Sequence, residues 1–275
     1  MDARDLFAAE LERDEAEIDL GRAALLFARV EYPDLDVDAY LCRFDVMAAD
    51  MRPRIGDGDE PGRVVGTIAE YLFRERGFAG NEADYYDARN SYLNDVLDRR
   101  LGIPISLSAI YLELGKRLGL PFEGVGLPGH FLVRLAHPFL PVLVDPFSQG
   151  KLVTEDECLA RLRALHGDRV ELTPSMLRPV GTRAILFRML TNLKGVYARQ
   201  EDYARAVRTI GLMLLVEPAA VAEYRDRGLL RFRMGDLKNA RPDLEYYLEL
   251  LPEAPDAGAI REQLALVERL YTMRN

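Results

Sequence analysis

Apolar positions recur at helical spacing over most of the chain and switch to a strand-like period in one central stretch. Between Asp5 and Val30, Leu6, Leu11, Ile18, Leu25 and Leu26 fit two helices broken near Asp14, the second ended by Tyr32-Pro33. Asp36 or Asp38 is placed to cap a third helix, Ala39 to Met51, by accepting from an amide of the first turn. A loop through Pro53 and Gly56-Asp57-Gly58 leads to a helix from about Gly62 to Arg76, stopped by Gly77. Phe78-Ala79-Gly80-Asn81 has the composition of a turn, and a helix from Ala88 to Arg100 ends in Gly102. Ser106 to Leu118 presents Leu107, Ile110 and Leu114 on one face and closes at Gly119. The period then changes: Glu123 to Gly126, Phe131 to Arg134 and Leu140 to Val144 are short strand segments broken by Gly and Pro. Lys151 to Leu165 is helical again. Helices followed by clustered short strands predict an α+β domain.

From Thr182 onward the pattern is purely helical, and it repeats. Tyr203-Ala204-Arg205-Ala206 and Leu237-Lys238-Asn239-Ala240 lie 34 residues apart, as do Pro218 and Pro252, Asp202 and Asp236, and Arg199 and Arg233. This period predicts stacked helical hairpins of the tetratricopeptide type. A small residue (Ala206, Ala240) lets two helices approach closely, and proline ends the second helix. Gly228 and Gly235 fall where such a repeat uses glycine, although the first copy has Lys194 and Glu201 there. Helices over Leu177 to Ala198 and Ala259 to Met273 are expected to cover the ends.

Composition narrows the function classes. The 275 residues are 49% hydrophobic and 29% charged, as in a folded globular protein. No apolar run approaches the roughly 18 residues of a membrane-spanning helix. The acidic, amphipathic start fits neither a secretory signal nor an Arg-rich transit peptide, so a cytoplasmic location is expected. Cys42 and Cys158 form no CxxC, and neither a disulfide framework, a metal site nor a cofactor is expected. The net charge of −9 argues against a dedicated nucleic-acid binder. That charge is uneven: Leu177 to Asn275 holds 16 Lys/Arg against 13 Asp/Glu, leaving 20 against 32 before it. The asymmetry suggests two modules, 1–176 and 177–275.

Among the three histidines, His137 before Pro138 fits a turn and His166 before Gly167 a helix end. His130 has chemical company. It follows Pro128-Gly129 at the entrance to one strand, and Asp145 ends the next. A carboxylate accepting an imidazole proton fixes the tautomer and raises ring basicity, which is the orienting half of a triad. A structural hydrogen bond uses the same two residues. Ser106 is the nearest hydroxyl that could serve as nucleophile, although Ser106 or Ser108 can equally cap its helix.

The run Leu101 to Gly150 resembles the transglutaminase-like fold. Phe78-Ala79-Gly80-Asn81, Tyr85-Tyr86-Asp87, Asn90-Ser91, Gly102-Ile103-Pro104-Ile105-Ser106-Leu107, Pro128-Gly129-His130-Phe131 and Asp145-Pro146-Phe147 together resemble the SirB-type bacterial proteins. The resemblance implies a helical N-terminal region and a papain-like α+β core joined to an all-α tetratricopeptide module. It also implies a nucleophile at a helix start, with His and Asp-Pro on successive strands. Asn81, Asp87, Asn90 and Ser91 would belong to a structured loop lining the cleft; capping of the following helix explains Asn90-Ser91 as well.

The departure from that pattern is informative. An active member needs a cysteine at the helix start, where the positive helix end lowers the thiol pKa. Pro104 to Ser106 contains none. The expectation is therefore a non-catalytic, regulatory or protein-binding chain; the alternative is a hydrolase or acyl transferase using Ser106, His130 and Asp145. In the repeat module, Arg188, Arg199, Arg225 and Arg233 are expected on the concave face, where guanidinium groups grip carboxylates of an acidic peptide partner or the first module.

Overall fold

The computed structural model describes residues 2–56, 60–136 and 141–274. The expectations for Asp57-Gly58, His137 and Leu140 lie outside these residues. The chain forms two compact units, Met1–Met189 and Leu190–Asn275.

The first unit opens with α1 (Ala3–Leu11), α2 (Leu20–Ala28) and α3 (Val37–Met51), each started by an aspartate. Asp2, Asp19 and Asp36 accept from the amides of Asp5, Arg22 and Ala39, caps worth about 1 kcal/mol each. Leu20 to Ala28 is buried except at Arg22, so α2 is a core helix rather than a surface one. The expected helix after Gly62 divides into α4 (Pro61–Ala69) and a π-helical segment, Glu70–Glu75, in which the Arg76 amide reaches back to the Tyr71 carbonyl.

Phe78 to Asn81 is not simply a turn. β1 (Ala79–Gly80) pairs in parallel with β2 (Leu101–Gly102), strands too short to show alternation. The stretch expected as one helix from Ala88 to Arg100 is a 3₁₀ turn, Ala88–Asn90, followed by α5 (Leu93–Arg99). Tyr92 holds the N-cap position, so neither Asn90 nor Ser91 caps this helix. It ends at Arg100, a non-glycine residue in the left-handed region at φ 60°, and Gly102 lies in β2. α6 (Pro104–Leu118) begins two residues before the expected Ser106, because proline suits a first helical turn whose amides have no partner; it closes on Gly119 at φ 72°.

Among the described residues, β3 (Phe122–Val125), β4 (Leu132–Leu135), β5 (Val142–Asp145), β6 (Lys151–Val153) and β7 (Pro179–Val180) form one antiparallel sheet in the order β6-β5-β4-β3-β7. Lys151 to Val153 is thus strand, not helix. α7 (Glu155–His166) starts after Thr154, whose hydroxyl accepts from the Glu157 amide while Glu157 accepts from the Thr154 amide. α7 buries Cys158 and Leu162 against Val125, Leu127 and Leu132.

α8 (Thr182–Arg199) follows β7 and contains residues 189 and 190, between which the two units divide. The second unit continues with α9 (Tyr203–Val216), α10 (Val221–Arg233), α11 (Leu237–Leu250) and α12 (Ala257–Arg274). Ala206 and Ala240 are fully buried, and Pro218 and Pro252 follow the ends of α9 and α11. A Cβ on Gly228 would lie 2.7 Å from Leu244, so glycine sets the close approach of α10 and α11.

Candidate functional site

The β4–β5 pairing aligns Val133 with Val144 and brings His130, just ahead of β4, to Asp145 at the end of β5. His130 Nε2 lies 2.9 Å from Asp145 Oδ2, with both side chains almost excluded from solvent. The ring N–H does not point along that line, so this is a close polar contact rather than an aligned hydrogen bond. Asp145 accepts further from the amides of Phe147 and Ser148, from the Ser148 hydroxyl at 2.8 Å and from Arg161 at 3.0 Å. Burial alone would raise the Asp145 pKa. The His130 ring, the Ser148 hydroxyl and the Arg161 charge outweigh it and hold the carboxyl below its ordinary 3.8.

Arg161, on α7, was not anticipated. Its second terminal nitrogen sits 2.9 Å from His130 Nδ1. A guanidinium only donates, so Nδ1 accepts and the ring proton resides on Nε2, facing Asp145. Nδ1 is thus hydrogen-bonded, and Nε2 lies in close polar contact with Asp145. Phe147 flanks the imidazole edge-on at 6.3 Å between ring centres, and Tyr85 meets Phe147 at 6.1 Å. In the sequence, Arg161 is one arginine on the helix after Asp145, with nothing to set it apart from a solvated charge.

Ser106 is elsewhere engaged. Its buried hydroxyl donates to the Asn90 carbonyl at 2.6 Å and accepts from the Ile103 amide at 3.0 Å, so it ties down the start of α6. Among the described residues Ser106 has no bond to His130, and the proposed trio is not assembled. Asn90 is the hub of this second network. Its side-chain amide donates to the carbonyls of Asp84 and Tyr85, and its oxygen accepts from Asn81 at 2.9 Å. Asn81 in turn accepts from the Asp84 amide. Asp87 accepts from the Arg89 amide and pairs with Arg89 and Arg99. Ser91 is buried, its amide closing the turn on Ala88. These residues shape the 81–91 loop. Ser108, fully buried on α6, has no hydrogen-bond partner for its hydroxyl among the described residues.

Neither thiol is activated beside the histidine. Cys158 is buried among aliphatic side chains, and that burial pushes its pKa up despite nearby Arg161. Cys42 is exposed on α3. Among the described residues no group of His, Cys, Asp and Glu converges to hold a metal ion, and no helix is long and apolar enough to cross a membrane.

The four arginines expected in a groove fare differently. Arg188 is half-buried on α8 in the first unit, where its charge acts on Tyr85. Arg225 is committed to Asp226 and Asp256, at 2.7 Å each. Arg233 lies over the Tyr203 ring, 5.6 Å from its centre. Arg199 is exposed at the end of α8.

Comparison with known proteins agrees with this architecture. A transglutaminase-like superfamily model matches residues 38–191, and a tetratricopeptide repeat model matches residues 193–265. A UPF0162 protein of Xylella fastidiosa is 38% identical over 264 residues, 94% of each chain. A UPF0162 protein of Vibrio cholerae is 34% identical over 70% of this chain and 72% of its own. Human F-box only protein 21 is 33% identical over 63% of this chain, a stretch that makes up 28% of that longer protein. No solved structure matches. With the α+β core, the His–Asp pair and the helical repeats in place, the chain belongs to the transglutaminase-like superfamily, within the UPF0162 (SirB-like) group that joins this domain to tetratricopeptide repeats.

Proposed function

We propose that this protein is a non-catalytic member of its superfamily, in which the former catalytic pair serves as a structural lock and the repeat module recruits a protein partner. The observation that carries this reading is the hydrogen bond between Arg161 and His130 Nδ1 and the close contact of Nε2 with Asp145, with no hydroxyl or thiol among the described residues bonded to the ring. General-base catalysis requires a ring nitrogen within hydrogen-bond reach of the group it deprotonates. Here Arg161 stands where that group would have to be.

A serine-directed fluorophosphonate probe tests the reading against the hydrolase alternative. The expected result is no labelling of Ser106 in the full chain. Labelling of Ser106 that disappears in His130→Ala would establish the enzyme instead.

The partner-binding half rests on the tetratricopeptide architecture, whose stacked hairpins present extended surfaces to other proteins. The preference for an acidic peptide draws on the basic balance of this region, in which Arg225 already serves Asp226 and Asp256. Replacing Arg199 and Arg233 with Ala should abolish capture of an immobilised acidic peptide by the full chain. Unchanged capture would remove the acidic preference while leaving the non-catalytic reading intact.

A further inference from the structure

A pocket of about 230 Å³ opens on the first unit, away from the His130 cluster, between α3, α5 and the segment following the π-helical turn. It is lined by Val46, Met47, Phe78 and Leu97, together with Cys42 and the three arginines Arg43, Arg76 and Arg100. Val46 is 53% exposed, a large apolar side chain left facing solvent at this place.

The three cations are not equivalent. Arg43 pairs with Asp98 and donates to the Leu97 carbonyl. Arg76 pairs with Asp50 at 2.5 Å and donates to the Tyr71 hydroxyl. Arg100 has no carboxylate partner among the described residues, so the pocket carries one cation beyond those its own acids neutralise. Arg76 and Arg100 bring charge to the pocket from flanking turns, and Arg100 sits in uncommon backbone. Arg76 closes the π-helical turn on the Tyr71 carbonyl, and Arg100 is held at φ 60°. Such conformations cost free energy and are over-represented where a chain must present a side chain to a ligand.

Apolar walls with one uncompensated guanidinium suit a particular chemistry: a compact hydrophobic body bearing a single carboxylate. A neutral apolar molecule would leave Arg100 without a counter-charge, and a small inorganic anion would leave the walls unfilled. We propose that this pocket is a binding site for small aryl or aliphatic carboxylates, with Arg100 as the group that recognises the anion.

The protein supplies its own reporter. Cys42 lines the pocket and is exposed, whereas Cys158 is buried with a raised pKa, so iodoacetamide should alkylate Cys42 selectively. The probes are phenylacetate and its neutral isostere phenylacetamide, added to the full chain at matched ionic strength, with alkylation of Cys42 followed by mass spectrometry. At about ten times a millimolar Kd, phenylacetate is expected to slow Cys42 alkylation roughly tenfold. Phenylacetamide should have little effect. Arg100→Asn should abolish the protection by phenylacetate; asparagine tolerates the left-handed backbone, so this variant keeps the fold while removing the charge. Equal protection by both probes, protection by sodium chloride alone, no protection, or protection that survives Arg100→Asn would each overturn the assignment. None of these results bears on the His130 reading, which concerns a different part of the unit.

Discussion

Two buried polar networks lie in the first unit, and they handle similar residue types in opposite ways. Around Asn90, the side chains of Asn81, Asn90 and Ser106 bond to backbone groups and to one another, fixing the 81–91 loop onto the start of α6. Around Asp145, a carboxylate, an imidazole and a guanidinium bond side chain to side chain, and their charges must balance. The first network is scaffolding by composition. The second joins His130, Arg161 and the Ser148 hydroxyl to one carboxylate, and among the described residues no hydroxyl or thiol is bonded to the His130 ring. Ser106, which a sequence-based trio would place in the second, belongs wholly to the first. A residue's role is thus set by the network its neighbours draw it into, not by its suitability for a reaction.

The sharpest way to break this comparison is Asn90→Ala. It strips partners from Asn81 and from the Asp84 and Tyr85 carbonyls, and a cost of roughly 3 kcal/mol is expected from stranding buried polar groups. Urea denaturation measures it, and a change under about 1 kcal/mol would deny Asn90 its hub role.

Asp145→Asn comes next, with an expected loss of about 2 kcal/mol near neutrality, because it leaves Arg161 without its carboxylate. The pH dependence carries a sign. Because the Asp145 pKa is held below 3.8 in the folded protein, its contribution is present above that value and disappears as pH falls through the lowered one. The variant should therefore lose less stability than the parent on acidification below pH 4. A parallel decline in both would refute the charge balance assigned to this network.

Ser106→Ala should cost about 1–2 kcal/mol through the α6 start and the Asn90 carbonyl. It should leave the environment of His130 unchanged in NMR spectra. A shifted His130 resonance would join the two networks that the structure keeps apart.

Much of the architecture could be read from the chain because it rests on periodic patterns. The 34-residue offset pairs Ala206 with Ala240 and Pro218 with Pro252, and these sit where helix packing and helix ends require them. The His130–Asp145 proximity followed from two adjacent antiparallel strands. Other features had no pattern to show. β1 and β2 are two residues each, and their pairing depends on residues about twenty positions apart. The start of α6 was displaced because a serine in the third helical position binds the preceding backbone much as a serine cap would. Arg161 was hidden for a different reason. It acts through space from a helix after Asp145, and one arginine on an amphipathic helix looks like any solvated charge. The recognition of His130 by Arg161 is tertiary information.

The smallest perturbation addresses the central claim most directly: ¹⁵N NMR of the full chain, comparing parent and Arg161→Gln. The parent should show His130 as the Nε2–H tautomer, with Nδ1 unprotonated and accepting a hydrogen bond, and the Nδ1 signal should shift when the guanidinium is removed. A His130 ring protonated at Nδ1, or a Nδ1 signal indifferent to Arg161→Gln, would contradict the lock and return His130 to the list of available bases.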